Sequence, residues 1–372
     1  MGRSLERRGV QVIRSKMKPL AVTLACFVAL VASAASAQQD IAFPAGVTGG
    51  STTISMTVYE NANASPLAAT VLAVHGFTET AKSWVPLKDA LFSYPQTKQR
   101  VKRFIALDLT GHGKSPIPDL SPNNLFGNLT IYDNVGVIIQ AIDYLRSQGM
   151  GPRVVMGHSM GGLELQSAQE TLLSQGSSLA KHGVLRAILM APVPVANISA
   201  WMPAATTLPD SYYRYDAGTY IVLDGPGSVY GGGFTTLDFF PGPCNPPDNS
   251  RSITPAACAF LAPGATDGLI GAEPSVTTAQ LVGLLADPPY NLPRPSARKG
   301  AFALRNGTVM SVIGFSQDVL TPAALQPALY QHLLGRQGLL YHEIVANDAV
   351  HSMFITNPVG MLDQLFDWDN LF

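Results

Sequence analysis

Charge is scarce in this chain. Asp, Glu, Lys and Arg make only 13% of its 372 residues, against 47% hydrophobic ones, and the two signs nearly cancel at a formal net charge of −1. Beyond residue 37 the balance turns mildly acidic, which argues against nucleic acid or an anionic membrane as partner. Cysteine is nearly absent too, with three in the chain and no C-x-x-C. H-E-x-x-H is missing, since His342-Glu343 lacks the second histidine, and so is G-x-x-x-x-G-K-[ST]. These absences remove thiolate metal clusters, zinc-protease chemistry and a phosphate-cradling loop. Gly231-Gly232-Gly233 lacks a following strand–helix unit and reads as a flexible loop. No metal and no cofactor is expected.

Long apolar runs are almost missing as well. The informative one lies near the N-terminus, where Lys16 and Lys18 precede a short apolar stretch that closes on Ala35-Ser36-Ala37. This reads as a secretory signal peptide over residues 1–37, cleaved after Ala37, with Met17 as a possible true start. The run is too short for a good transmembrane anchor, and Cys26 is not placed as a lipidation cysteine. A secreted or periplasmic protein without a stable membrane anchor is expected. Residues 1–37 hold six of the 24 basic residues and one of the 25 acidic ones, so the chain after them carries a net charge of −6. Two cysteines then remain, Cys244 and Cys258. In an oxidising compartment an isolated pair reads as a disulfide, closing a loop of about 15 residues worth roughly 3 kcal/mol. The alternative is two free buried thiols.

What the chain does have is Gly157-His158-Ser159-Met160-Gly161-Gly162, set between the apolar run Val154-Val155-Met156 and the helical Leu163 to Ala168. Strand, tight turn and helix, with serine at the tip, is the pattern of a nucleophile elbow. Gly157 and Gly161 let strand and helix pass closely, and the helix N-terminus favours negative charge developing nearby. A serine hydroxyl attacks poorly alone; it needs a base, and the base needs an orienter. Asp318 follows the strand-like run Thr308 to Gly314, and His351 follows the run Gly338 to Val345. Both fall in loops at strand C-termini, where open α/β sheets bind ligands. Asp348 is the competing acid, but three residues from His351 it is too close along an extended loop to orient it well. Asp108 precedes the serine and reads as bonding its own turn.

With Val74-His75-Gly76-Phe77, Asp108-Leu109-Thr110-Gly111-His112-Gly113-Lys114-Ser115, the elbow, Gly314 to Pro322 and Asp348 to His351 in order, the sequence resembles the α/β-hydrolase superfamily, in its serine esterase and lipase branch with a cap. The resemblance spans about residues 53 to 372 apart from one insertion. It implies a mostly parallel central sheet with helices on both faces, Ser159 as nucleophile, Asp318 as acid and His351 as base. It also implies an oxyanion hole from the backbone N–H groups of Met160 and Phe77, with Thr78 standing where many relatives carry proline.

Apolar strands are expected at 53–60, 69–74, 103–107, 154–156, 185–190 and 308–314, with a helix over 131–147. Residues 38–191 and 300–372 form the expected core. Between them, 192–299 is rich in proline, glycine and tyrosine, contains both remaining cysteines, and reads as a cap or lid. Its aromatics could line an acyl pocket or form the cap's own core; Trp84 and Met160, near the oxyanion loop and elbow, are the better pocket-wall candidates, and His158, flanking the serine, is a further pocket candidate. His75 is expected to brace the oxyanion loop, and His112 to be structural. The expected substrate is a small carboxylic ester or lactone. Acyl transfer, amide hydrolysis and cofactor-free perhydrolysis remain alternatives on the same fold, as does a non-catalytic binding protein.

Overall fold

A computed structural model describes residues 37–47, 50–77, 79–117, 131–192, 213–216, 220–223, 307–318, 321, 323, 339–346, 348–349 and 351–365. Eight strands make one sheet: β1 (Gln38–Val47), β2 (Gly50–Glu60), β3 (Ala69–Val74), β4 (Val101–Leu107), β5 (Val154–His158), β6 (Arg186–Met190), β9 (Val309–Phe315) and β10 (Leu339–Ile344). A separate antiparallel pair, β7 (Tyr213–Asp216) and β8 (Tyr220–Leu223), falls within residues 192–299. The sheet order is β1-β2-β4-β3-β5-β6-β9-β10. β1 and β2 join antiparallel at one edge, and the other six strands of the sheet pair in parallel.

The side-chain period of two divides each apolar strand between the faces. Leu72, Val74, Ile105, Leu107, Val155, Leu189 and Val312 pack with helices α2 (Ile131–Ser147) and α3 (Met160–Ser174). Val71, Ala73, Phe104, Ala106, Met156, Ile188 and Phe315 pack with α1 (Val85–Ser93), α4 (Met353–Thr356) and α5 (Pro358–Gln364). Each such side chain fully removed from water contributes about 1.5–3 kcal/mol before chain entropy is counted. A parallel sheet covered on both faces needs strands that are apolar throughout, and β3 is buried at all six positions.

The expected strands lie within about three residues of the observed ones, and α2 has the expected bounds. β1 was not expected. It is an exposed edge strand that carries Pro44 opposite Thr53, a place where a missing ladder N–H costs little. The leader through residue 36, both Cys244 and Cys258, and nearly all of 192–299 lie outside the described residues.

The topology matters for function at one end. Gly76, Ser159, Asp318 and His351 all follow the C-terminal ends of parallel strands, β3, β5, β9 and β10. Residues far apart in sequence therefore meet along one rim of the sheet.

Candidate active site

Ser159 sits between β5 and α3 with φ 50° and ψ −115°. A non-glycine residue at positive φ costs on the order of 1–3 kcal/mol and persists only when its surroundings impose it. Here Ser159 N–H donates to the Met190 carbonyl of neighbouring β6 at 2.9 Å. The flanking glycines make the turn possible: a Cβ on Gly157 would lie 2.6 Å from the Gly161 carbonyl oxygen, and one on Gly161 2.5 Å from the carbonyl oxygens of Val74 and His75. Met160 opens α3, in the first turn, where helix N–H groups have no partner within the helix. Phe77 follows Gly76 at the end of β3 and is buried, its ring in the core.

His351 and Asp318, 33 residues apart, meet at the rim. Asp318 Oδ2 is 2.8 Å from His351 Nδ1, and both side chains are buried. Thr321, which the sequence reading missed, completes the acid's setting. Its backbone N–H donates to Asp318 Oδ1 at 2.8 Å. Its hydroxyl lies 2.6 Å from Asp318 Oδ2 and 3.0 Å from the Ala191 carbonyl oxygen, so its one proton serves one acceptor at a time. Burial alone would raise the Asp318 pKa, but His351 and the Thr321 donors outweigh it and hold the group below the usual carboxylate value. Asp348 is engaged elsewhere: its Oδ2 accepts from Asn357 Nδ2 at 2.7 Å. The geometry thus joins His351 to Asp318, the acid preferred from chain order.

Trp84 and His158, expected as pocket walls, are both fully buried. The Trp84 ring packs 4.7 Å from Phe354 and 6.2 Å from Phe104, in the core under α1 and α4. His158 lies below the rim, its ring 4.6 Å from those of His351 and Phe354. His158 Nε2 donates to the His351 carbonyl oxygen at 2.9 Å, and Nδ1 lies 3.0 Å from Glu79 Oε1, off the line of an ideal hydrogen bond. Glu79 was not singled out from sequence. Its other oxygen accepts the Gly76 N–H at 2.8 Å.

His75 braces the loop as expected. Leu109 N–H donates to its Nε2 at 3.1 Å, so Nδ1 carries the proton and donates to the Gly76 carbonyl oxygen at 2.8 Å. Burial, opposed by that bond to Gly76, lowers its pKa to about 4 and keeps it neutral. His112 Nδ1 bonds the Glu79 carbonyl oxygen at 2.9 Å. Asp108 accepts from Lys114 N–H at 3.0 Å within its own turn, and from Ala81 N–H at 2.7 Å. Among the described residues no group of three or more His, Cys, Asp or Glu side chains could hold a metal, and no helix is long and apolar enough to cross a membrane.

One turn into α3, Glu164 is buried. Asn134 Nδ2 donates to its Oε1 at 2.8 Å, while Oε2 has no hydrogen-bond partner among the described residues. Burial raises its pKa well above the ordinary value, against the smaller lowering by Asn134. The folded protein therefore keeps a proton that the unfolded chain releases above about pH 4.3, and stability falls as pH rises through that window. Glu164→Gln keeps the Asn134 bond without that proton. It is expected to raise the melting temperature at pH 8 by a few degrees relative to pH 5, since about 1.4 kcal/mol accrues per pH unit between the two pKa values. Melting curves of both proteins at the two pH values check this; parallel shifts at both would refute it.

A profile described as the Alpha/beta hydrolase family matches residues 71–363. The chain belongs to this family, and its sheet and elbow are built accordingly. A thermophilic esterase from Thermogutta terrifontis, solved with malate bound, is 16% identical, with a TM-score of 0.55 over 89% of this chain and 98% of its own. The enol-lactonase from Burkholderia xenovorans LB400 is 15% identical, with a TM-score of 0.54 over 88% of this chain and all of its own. In sequence, Lipase LipV of Mycobacterium tuberculosis is 37% identical over 94 residues, which cover 25% of this chain and 29% of that lipase. The chain thus matches less than a third of that relative's length.

Proposed function

We propose that this chain is a serine hydrolase that cleaves a carboxylic ester or lactone through an acyl-enzyme on Ser159. The observation that carries the reading is the buried His351 Nδ1–Asp318 Oδ2 contact of 2.8 Å on the rim that also bears the strained Ser159. With Nδ1 committed to Asp318, Nε2 is the ring nitrogen left to take the serine proton. Ser159 Oγ attacks the carbonyl carbon, His351 receives the proton, and the N–H groups of Met160 and Phe77 bind the oxyanion. His351 then protonates the leaving alcohol and activates the water that releases the acid. Asp318 holds the imidazole in one tautomer and balances its charge. The family, together with relatives named as an esterase, an enol-lactonase and a lipase, supports an ester-type substrate. A cap over 192–299 with a Cys244–Cys258 bond, and export with cleavage after Ala37, belong to the same proposal.

The test is a panel of p-nitrophenyl esters graded by acyl length, with lactones and aryl esters alongside, given to the protein purified without residues 1–37. Turnover of at least one class at rates of about 1 s⁻¹ or more is the expected result. Absence of turnover on every ester and lactone, with amides or acyl transfer to an added alcohol active instead, would replace the reaction while keeping the site. Silence on all of them would leave a binding protein.

A further inference from the structure

We infer that Glu79 and His158 form a buried positioning pair that ties the oxyanion loop after β3 to the loop carrying His351. The inference rests on the serine-hydrolase reading of the site. Three polar contacts run end to end as one chain. Gly76 N–H donates to Glu79 Oε2 at 2.8 Å; Glu79 Oε1 lies 3.0 Å from His158 Nδ1; His158 Nε2 donates to the His351 carbonyl at 2.9 Å. The chain passes directly beneath the reacting groups. Gly76 sits so close that a Cβ there would lie 2.9 Å from His158 Nδ1, 3.1 Å from Ser159 Cβ and 3.2 Å from Glu79 Oε2.

The proton count follows from the partners. A backbone carbonyl only accepts, so His158 Nε2 carries a proton. Nδ1 stands at ion-pair distance, 3.0 Å, from Glu79 Oε1, off the line of an ideal hydrogen bond. Burial disfavours an ionised Glu79, but His158 and the Gly76 N–H outweigh it and hold its pKa below the ordinary carboxylate value. The charged and titratable groups around the pair are His75 from the β3 loop and His351 from the β10 loop, backed by Asp318. The work of the pair is to fix distance. It holds the Gly76-Phe77 backbone, which would supply one oxyanion donor, and the His351 backbone, which supplies the base, at one separation from Ser159. Errors on the order of 1 Å in such placements cost about 10²-fold.

Reach and charge can be separated. Glu79→Gln keeps the reach: its oxygen accepts from Gly76 and its amide group reaches His158 Nδ1. Glu79→Asp keeps the charge and is one methylene too short to hold both ends. The expected kcat is within about threefold of wild type for E79Q and roughly 10–10²-fold down for E79D, with KM little changed in both because ground-state binding is untouched. His158→Phe, which keeps a ring against Phe354, is expected to match E79D. The double variant E79D/H158F is expected to be no worse than H158F by more than about threefold, the signature of one coupled unit. Rates are taken per active site by fluorophosphonate titration, so misfolded protein does not count. E79D at the wild-type kcat, E79Q as impaired as E79D, or losses that multiply in the double variant would each overturn the pair. Failure of wild-type Ser159 to react with the fluorophosphonate would instead overturn the serine-hydrolase reading beneath it.

Discussion

Replacing Ser159 by alanine is expected to remove nearly all turnover, roughly 10⁶-fold in kcat, because the members of such a triad act as a unit. The structural basis is narrow and local. Ser159 is imposed on a backbone conformation that costs energy, by β5, by α3 and by the Met190 carbonyl, and the result is an Oγ at the rim where His351 and Asp318 meet. The alanine methyl has no atom to attack with, while every hydrogen bond described for the Ser159 backbone survives. The variant should therefore fold as wild type does and still bind ester. Mass spectrometry after fluorophosphonate treatment should find the adduct on Ser159 alone in wild type, and nowhere in Ser159→Ala. An adduct on another serine, or appreciable hydrolysis by the alanine variant, would mean that the chemistry lies elsewhere.

The second large effect separates two aspartates. His351→Ala should cost about as much as Ser159→Ala. Asp318→Asn should cost about 10⁴-fold, since asparagine can donate to His351 Nδ1 and so hold the ring in the wrong tautomer. Asp348→Asn should stay within a few-fold of wild type, as asparagine there can still accept from Asn357 through its amide oxygen. A crippled Asp348→Asn beside a mild Asp318→Asn would reverse the assignment. The pH dependence follows from the same pair. Asp318 is held below the usual carboxylate range, so it stays ionised well below neutral pH. Activity should rise with pH through a single ionisation in the histidine range and then level. A depressed carboxylate also stabilises the fold above its unfolded pKa of about 3.9, a contribution lost as pH falls through the folded value. Acid unfolding of wild type should thus set in below about pH 4, and Asp318→Asn should flatten that part of the curve.

Much of this was legible in the sequence, for reasons that differ by element. Buried parallel strands announce themselves as apolar runs, Val71–Val74 in β3 and Phe104–Leu107 in β4, and the elbow glycines mark the only residue type that fits between β5 and α3. The Asp318–His351 contact came from strand-end position and chain order rather than from any local pattern. The polar residues beneath the site were harder. Thr321 could have been found, because an Asp followed three residues later by Thr often closes a local turn. Glu79 could not, since its partner His158 is 79 positions away and nothing local distinguishes it from a solvated carboxylate. Helix α3 was opaque in the same way. Glu164, Gln166, Ser167, Gln169 and Glu170 would ordinarily mark a wet face, yet all five are buried. Trp84, read from sequence as a wall near the oxyanion loop, belongs to the core because α1 and α4 close over it.

The positive φ at Ser159 has an evolutionary side. Glycine would relieve it, since only glycine enters that region without steric cost, so the residue best for the backbone and the residue proposed for chemistry differ at this position. Selection for folding alone would drift toward glycine there, and the serine stays only under selection for use. The surplus that tolerates it resides in the two packed faces of the sheet. Variants that tighten those faces widen the room for change among the residues around Ser159, whereas variants that erode them narrow it before any group at the site is touched.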